Sequence, residues 1–251
     1  MGELMRGRRR DEILERLCAR RADRIGTCGF VFTQVYLLGC IYMRLLATPR
    51  IRLRLEEQKE AAPIRQWLDR KSFGIRTPLH EAASVLRIKR TGDPLAGSRF
   101  ATLRRMERKA AKLGVVCREV PEDERDSLLQ RAIAFEMDNP DPRYRRDNPN
   151  TEGLELARLW LVAVDASGTP LVLSVTPVSG NTALLRYMRT LSVGPETTLA
   201  RYALTASLLR TLNRKHVRYL VDNVSPLSVP TALRHFATMV GFRIARIRLT
   251  A

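Results

Sequence analysis

Four cysteines and three histidines are all that the chain offers a soft metal. Cys18, Cys28, Cys40 and Cys117 lie too far apart for a metal knuckle or a C-x-x-C redox pair, and His80, His216 and His235 are scattered. No metal site is expected, and reduced cytoplasmic thiols are the default. Aromatic residues are only 6% of the chain and do not interleave with the basic ones, which argues against a sequence-reading RNA module. Glycine (14) and proline (13) are near ordinary usage, which excludes collagen-like and low-complexity chains. Long apolar runs are missing too. The charge-free stretch Thr27–Met43 has seventeen residues, short of a spanning helix, and contains Gln34 and two glycines. The first 24 residues are charged and no small-residue cleavage site follows an apolar core, so no secretion signal is expected.

Arginine is what the chain has in excess. Only six of its 44 basic residues are lysine, leaving 38 arginines against 26 acidic residues, a formal charge of +18 and a pI near 10.9. Arginine's planar fork suits phosphate. Charge of this size draws a polyanion: nucleic acid, an acidic membrane surface or a phosphorylated cofactor. It does not choose among them, and solvated helix faces account for part of it. The 251 residues hold one large domain, or one domain with an appendage.

Along the chain, residues 11–25 read as an exposed helix. The apolar stretch 27–43, flanked by Arg24 and Arg44, suits either a membrane-dipping segment or a segment packed on the domain. Residues 48–62 read as a polar connector or exposed helix, with a boundary near Ala62–Pro63. The expected organisation is a basic extension over 1–62 and a domain over 63–251. Ser84–Ile88 reads as a strand. Ser98 is placed to cap a helix over about Arg99–Leu113 that Gly114 ends. Val115–Val120 reads as a strand, and Glu122–Met137 as a helix whose acidic first turn suits its dipole. Two Asp-Asn-Pro triplets make 138–150 a loop, either a substrate cover or a solvated connector. Arg158–Val164, Leu171–Pro177 and Thr182–Thr190 read as strands joined by glycine-bearing turns, an antiparallel meander. Thr198–Asn213 then reads as a helix, His216–Val221 as a strand, Val229–Val240 as a helix closed by Gly241, and Phe242–Leu249 as a last strand.

That order, ending in Val240-Gly-Phe-Arg243, resembles the GNAT superfamily of N-acetyltransferases over residues 158–251. LSVGPETTLARYALTASLLRTL resembles that family's fourth strand, acyl-carrier loop and following helix. FATMVGFRIARIRL resembles its last helix and strand. Upstream, RFATLRRMERKAAKLGVVCREV is similar to the R-x-x-R…R-A-x-x-x-G segment of lysyl-phosphatidylglycerol synthases, GNAT-fold enzymes grouped with the Fem-like aminoacyltransferases. An R-Y-M-R-like strand (here Leu185–Arg189) and a final turn (here Ser225–Leu227) recur in that subfamily. The resemblance implies an α+β fold: a mixed, mostly antiparallel sheet flanked by helices, here with an N-terminal helical extension. It implies an acyltransferase, with an aminoacyl group passing from aminoacyl-tRNA to an amine or hydroxyl of a lipid or small molecule. No permanently bound cofactor is implied. Fem-like enzymes commonly comprise two such domains, and one is evident here.

Two departures bear on the donor. Acetyl-CoA users carry Q/R-x-x-G-x-G/A where this chain has Thr198-Leu-Ala-Arg-Tyr-Ala203, without the glycines that let backbone N–H groups close round a pyrophosphate. Gly194 lies too early for the usual register. A tyrosine that protonates a leaving thiolate is replaced by Ala237, with Phe236 beside it. Both favour tRNA over acetyl-CoA or acyl-CoA as donor. An acyl-CoA enzyme and a non-catalytic module on nucleic acid or anionic membrane remain the alternatives. The expected donor site is Thr190, Leu191, Ser192 and Val193 with Thr198, Leu199, Ala200 and Arg201. Asp222 is the expected base, with Glu196 behind it, though Asp222 equally suits a turn cap. Arg189 is the expected catalytic arginine. Arg104, Arg105, Arg108, Arg143, Arg145, Arg146 and Arg186 are the expected polyanion contacts. The expected location is the cytoplasm, with the inner membrane face as the peripheral alternative.

Overall fold

The computed structural model describes residues 31–48, 50–57, 59–68, 78–141, 145–226 and 231–250. The helix expected over 11–25 lies outside them. The elements are α1 (Val31–Leu46), β1 (Arg50–Arg54), α2 (Ala61–Leu68), α3 (Pro78–Glu81), β2 (Ala82–Arg87), α4 (Ala101–Lys112), β3 (Val116–Glu119), α5 (Glu122–Met137), β4 (Leu159–Val164), β5 (Pro170–Thr176), β6 (Val178–Ser179), β7 (Thr182–Leu185), β8 (Tyr187–Thr190), α6 (Pro195–Arg214), β9 (Tyr219–Asp222), α7 (Thr231–Val240) and β10 (Arg243–Thr250).

Two sheets carry the fold, ordered β1-β10-β2-β9-β7-β6 and β3-β4-β5-β8. One hairpin belongs to both, because β5 runs into β6 and β7 into β8. Pairing is parallel between β1 and β10 and between β7 and β9, and antiparallel elsewhere. The α+β class with a mixed, mostly antiparallel sheet is therefore what the chain forms. The β4–β5 turn shows why its sequence folds locally. Asp165 Oδ1 accepts the N–H groups of Ser167 (2.8 Å) and Thr169 (2.9 Å), and Gly168 takes φ 85°.

Three apolar layers hold the sheets. Leu86, Ala183 and Leu220 meet Leu103 of α4 and Leu204 and Leu208 of α6 on one face. Leu128 and Ala132 of α5 cover Trp160, Leu173 and Tyr187 on the opposite face of the second sheet. Ile64 and Leu68 of α2 cover Leu53, Val85, Tyr219 and Ile247 on the remaining face of the first. That sheet curls until its ends meet: the Arg54 N–H donates to Asn181 Oδ1 (3.1 Å) and the Glu56 N–H to Ser179 Oγ (2.9 Å).

Four local expectations change. Residues 48–62 supply β1 rather than a connector, because Ile51 and Leu53 alternate with Arg50, Arg52 and Arg54 at the period of two that a strand uses. The boundary expected near Ala62–Pro63 falls inside α2. Ser98 makes no capping bond; a 3-10 turn over Ser98–Phe100 leads into α4 instead. The single strand expected over Thr182–Thr190 divides at Arg186. Among the described residues no helix is long and apolar enough to cross a membrane.

Candidate functional site

The division at Arg186 makes the site. β7 pairs with β9 as far as Leu185 opposite Asp222. One residue later the chain leaves for the other sheet, where β8 pairs with β5 on one edge and with no strand on the other among the described residues. The Leu191 N–H donates to the Leu171 carbonyl (2.8 Å). Antiparallel alternation therefore turns Arg189 and Tyr187 N–H toward β5, and Met188 and Thr190 N–H away from it into the fork. Of the expected donor residues, Thr190 thus presents its backbone to the gap, while the Leu191 N–H is spent. Ser192 Oγ and Thr197 Oγ1 share a hydrogen bond (2.9 Å) across the loop, and Val193 is 70% exposed.

The helix after that loop begins earlier than expected. Pro195 is its first residue and Gly194 its N-cap, at φ 147°. Thr198, Leu199, Ala200 and Arg201 therefore lie inside the helix, where the ladder consumes their N–H groups. Proline at the first position offers no N–H, and Glu196 puts a carboxylate in the first turn. A Cβ placed on Gly194 would meet Glu196 Oε2 at 3.2 Å, so this carboxylate folds back over the loop. A pyrophosphate here would meet negative charge and few donors.

Asp222 ends β9 at the fork. Its Oδ1 accepts the Val224 N–H (3.2 Å), so the turn-cap role and the site position coincide. Burial pushes its carboxyl up to about 6, against the pull of the Val224 and Asn223 N–H groups and the positive charge of Arg189. Asp222 also lines a small cavity with Ser84, Arg234, Ala237, Thr238 and Ile244. Ala237, where the resemblance would place a tyrosine, faces this cavity. Phe236 stacks edge-on against Tyr202 at 5.0 Å.

Arg189 is built in from the other side. Its Nε donates to Glu136 Oε1 (2.5 Å), the Tyr187 hydroxyl donates to Glu136 Oε2 (2.9 Å), and its guanidinium lies over the Tyr187 ring at 4.8 Å. Arg186 is pinned by Asn150 Oδ1 (2.5 Å) and the Glu152 carbonyl (2.8 Å), which ties the end of the long loop to the dividing point. Asn223 bridges the parting strands: its Nδ2 donates to the Arg186 carbonyl (2.6 Å) and its carbonyl accepts from Trp67 Nε1 (2.5 Å).

The expected polyanion contacts do not gather on one surface. Arg104 spends its guanidinium on the Leu95 and Gly97 carbonyls. Arg105 and Arg108 are exposed on α4, across the sheets from α5 and Arg189. Arg145 donates twice to the Asn139 carbonyl (3.2 and 3.0 Å), and Arg146 is fixed by its N–H on the Glu136 carbonyl (2.9 Å). Arg143 lies outside the described residues. A cationic patch missed in the sequence lies where β2 ends and β9 begins. There Arg87, Lys89, Arg90 and Arg218 line contiguous clefts of about 370 to 510 Å³ with no carboxylate among the lining residues.

By sequence, no family model and no curated protein matches the chain. By structure, FemX matches at a TM-score of 0.50 and 11% identity, over 68% of this chain and 60% of that one. L-PGS from Bacillus licheniformis matches at 0.46 and 12%, over 65% and 60%. The C-terminal domain of an Agrobacterium fabrum protein assigned as a lysylphosphatidylglycerol synthetase matches at 0.47 and 13%, over 65% and 60%. The chain spans about three fifths of the length of these structures. At these identities the FemX match bears on the fold alone, and with the mixed sheet described above it gives the chain a GNAT-like fold.

Proposed function

We propose that the protein transfers an acyl group, with aminoacyl-tRNA as donor, to an amine or hydroxyl acceptor at the fork. One observation carries this: β8 leaves β9 just beyond Asp222, so an open strand edge and a carboxyl of raised pKa stand together. The acceptor's nitrogen or oxygen bonds to the ester carbonyl carbon as Asp222 takes its proton. A base with pKa near the working pH suits that step. The Met188 and Thr190 N–H groups are placed for the oxyanion, each such donor being worth ~3 kcal/mol. Collapse breaks the ester bond, and the leaving ribose oxygen takes the proton, giving an acylated acceptor and free tRNA. Arg189, fixed by Glu136, supplies positive charge beside the carbonyl.

The donor preference rests on Pro195 and Glu196, which spoil the helix N-terminus for a diphosphate, and on the clefts around Arg87 and Arg218, which suit a phosphate backbone. The test is transfer of a radiolabelled amino acid from charged tRNA to a panel of amines and alcohols, with acetyl-CoA as rival donor. We expect tRNA-dependent product, and a loss of about 100-fold or more in kcat/KM for Asp222→Asn. Product from acetyl-CoA at equal efficiency, or an unimpaired Asp222→Asn enzyme, overturns the proposal.

A further inference from the structure

Residues 27–30 of the apolar stretch expected either to dip into a membrane or to pack on the domain lie outside the described residues; from Tyr36 onward, α1 packs on the domain with one face. Leu37, Ile41 and Leu45 of α1 are buried, Ile41 and Leu45 completely. Tyr36, Cys40, Met43 and Leu46 follow at helical spacing on another face. Tyr36 is 71% and Met43 66% exposed, and Tyr42 and Leu46 are exposed beside them. An open groove runs along this stripe between Tyr36, Gly39, Met43 and Ala47. A contiguous apolar stripe of this kind marks a contact surface.

The surrounding charge identifies what it contacts. α1 lies on the sheet face that carries Arg246, whose guanidinium donates to the Leu45 and Leu46 carbonyls. Register puts Arg50 beside Arg246, and Arg52 beside Arg248, on that same face. Arg246 and Arg50 share the Glu81 carboxylate, at 2.7 and 3.1 Å, which offsets one of their two charges. Arg52, Arg54 and Arg248 continue the face, exposed and without a carboxylate partner among the described residues, and Arg44 stands on the helix next to Met43. An apolar stripe flanked by unneutralised arginines matches an anionic lipid surface: the stripe enters the acyl boundary while the cations meet headgroups. Nucleic acid has no use for the stripe. The sixteen-residue helix is about 24 Å long and half buried, so it lies along a bilayer rather than through it.

We propose that this face docks the protein on a membrane containing anionic phospholipid. Arg52 and Arg54 also line the cleft beside Arg87 and Arg218, so the part of the proposal that stands apart from the transfer reading is the stripe of Tyr36 and Met43, which lies neither in that cleft nor at the fork. The experiment is flotation of the full chain with phosphatidylcholine vesicles and with mixed phosphatidylcholine–phosphatidylglycerol vesicles. It compares wild type, Tyr36→Asp/Met43→Asp and Arg52→Glu/Arg248→Glu, with circular dichroism to confirm folding. Partitioning at least about tenfold stronger on the anionic vesicles is expected, and a comparable loss in each double variant. Absence of binding to anionic vesicles overturns the proposal. So does binding unchanged in Tyr36→Asp/Met43→Asp, which would mean adsorption by charge alone, or a wild-type dimer that this variant dissociates, which would assign the stripe to a second copy.

Discussion

Replacing Asp222 by asparagine should stabilise the protein while disabling it. The wild-type carboxyl sits at about 6 in the fold because burial disfavours its charge. In the unfolded chain it returns to the ordinary aspartate range, near 3.9. The folded state therefore holds this proton more tightly than the unfolded state does. Stability falls as pH rises from about 4 to about 6, and above that the buried carboxylate costs the fold about 3 kcal/mol. Asparagine keeps an Oδ1 to accept the Val224 N–H and carries no charge. Its advantage should grow by about 1 kcal/mol between pH 5 and pH 8, over and above any offset from the change of side chain. Urea denaturation of both proteins at the two pH values measures this, and every other titrating group cancels in the comparison. A stability difference that does not change with pH, or that shrinks toward pH 8, refutes the buried, proton-holding aspartate and with it the base proposed for transfer.

Glu136→Gln should cost about 1 to 3 kcal/mol, because it removes the charge that orders Arg189 and leaves the buried Tyr187 hydroxyl a weaker acceptor; thermal denaturation checks it. Gly180→Ala should destabilise, since the residue sits at φ 55° and its new Cβ would lie 2.6 Å from the Arg54 carbonyl oxygen. Reduced hydrogen-exchange protection of β1 would show that loss, and an unchanged β1 would contradict it. Cys117 should resist alkylation at pH 8 in the native protein and react after denaturation, because burial pushes its thiol up to about 12. Rapid native labelling at this residue would show that it is open.

Most elements were legible because their patterns are local. α5 runs over Glu122–Met137 as its acidic first turn and the following Asp-Asn-Pro foretell. The meander follows from its turns, and Gly114 ends α4 at φ 77°. The division at Arg186 was not legible, because no glycine or proline marks it; it comes from two sheets competing for one strand. The start of α6 was misplaced for a related reason. Its apolar period is clear only from Leu199 onward, whereas Pro195, a residue favoured in a first turn, sets the true beginning. Asp222 and Arg189 were singled out from the sequence as candidates, and the structure sets both beside the fork, but the residues that hold them could not be read. Glu136 did leave a trace, as a lone carboxylate in the stripe Leu128–Ala132–Glu136 that buries α5. Asn223 left none, since its amide works across 37 residues of chain. The arginines were countable but not assignable, because carbonyls of nearby turns claim several of them.

The hairpin that threads both sheets fixes how wide the fork can be. Each arm is two strands joined by a single residue, Pro177 in one and Arg186 in the other, and bonded on both sides of that bend, so the aperture is set by the angle at those two residues. Trimming side chains along the rim would alter which groups line the gap and leave the opening its present size. A variant meant to widen it has to re-bend the main chain at the hinge.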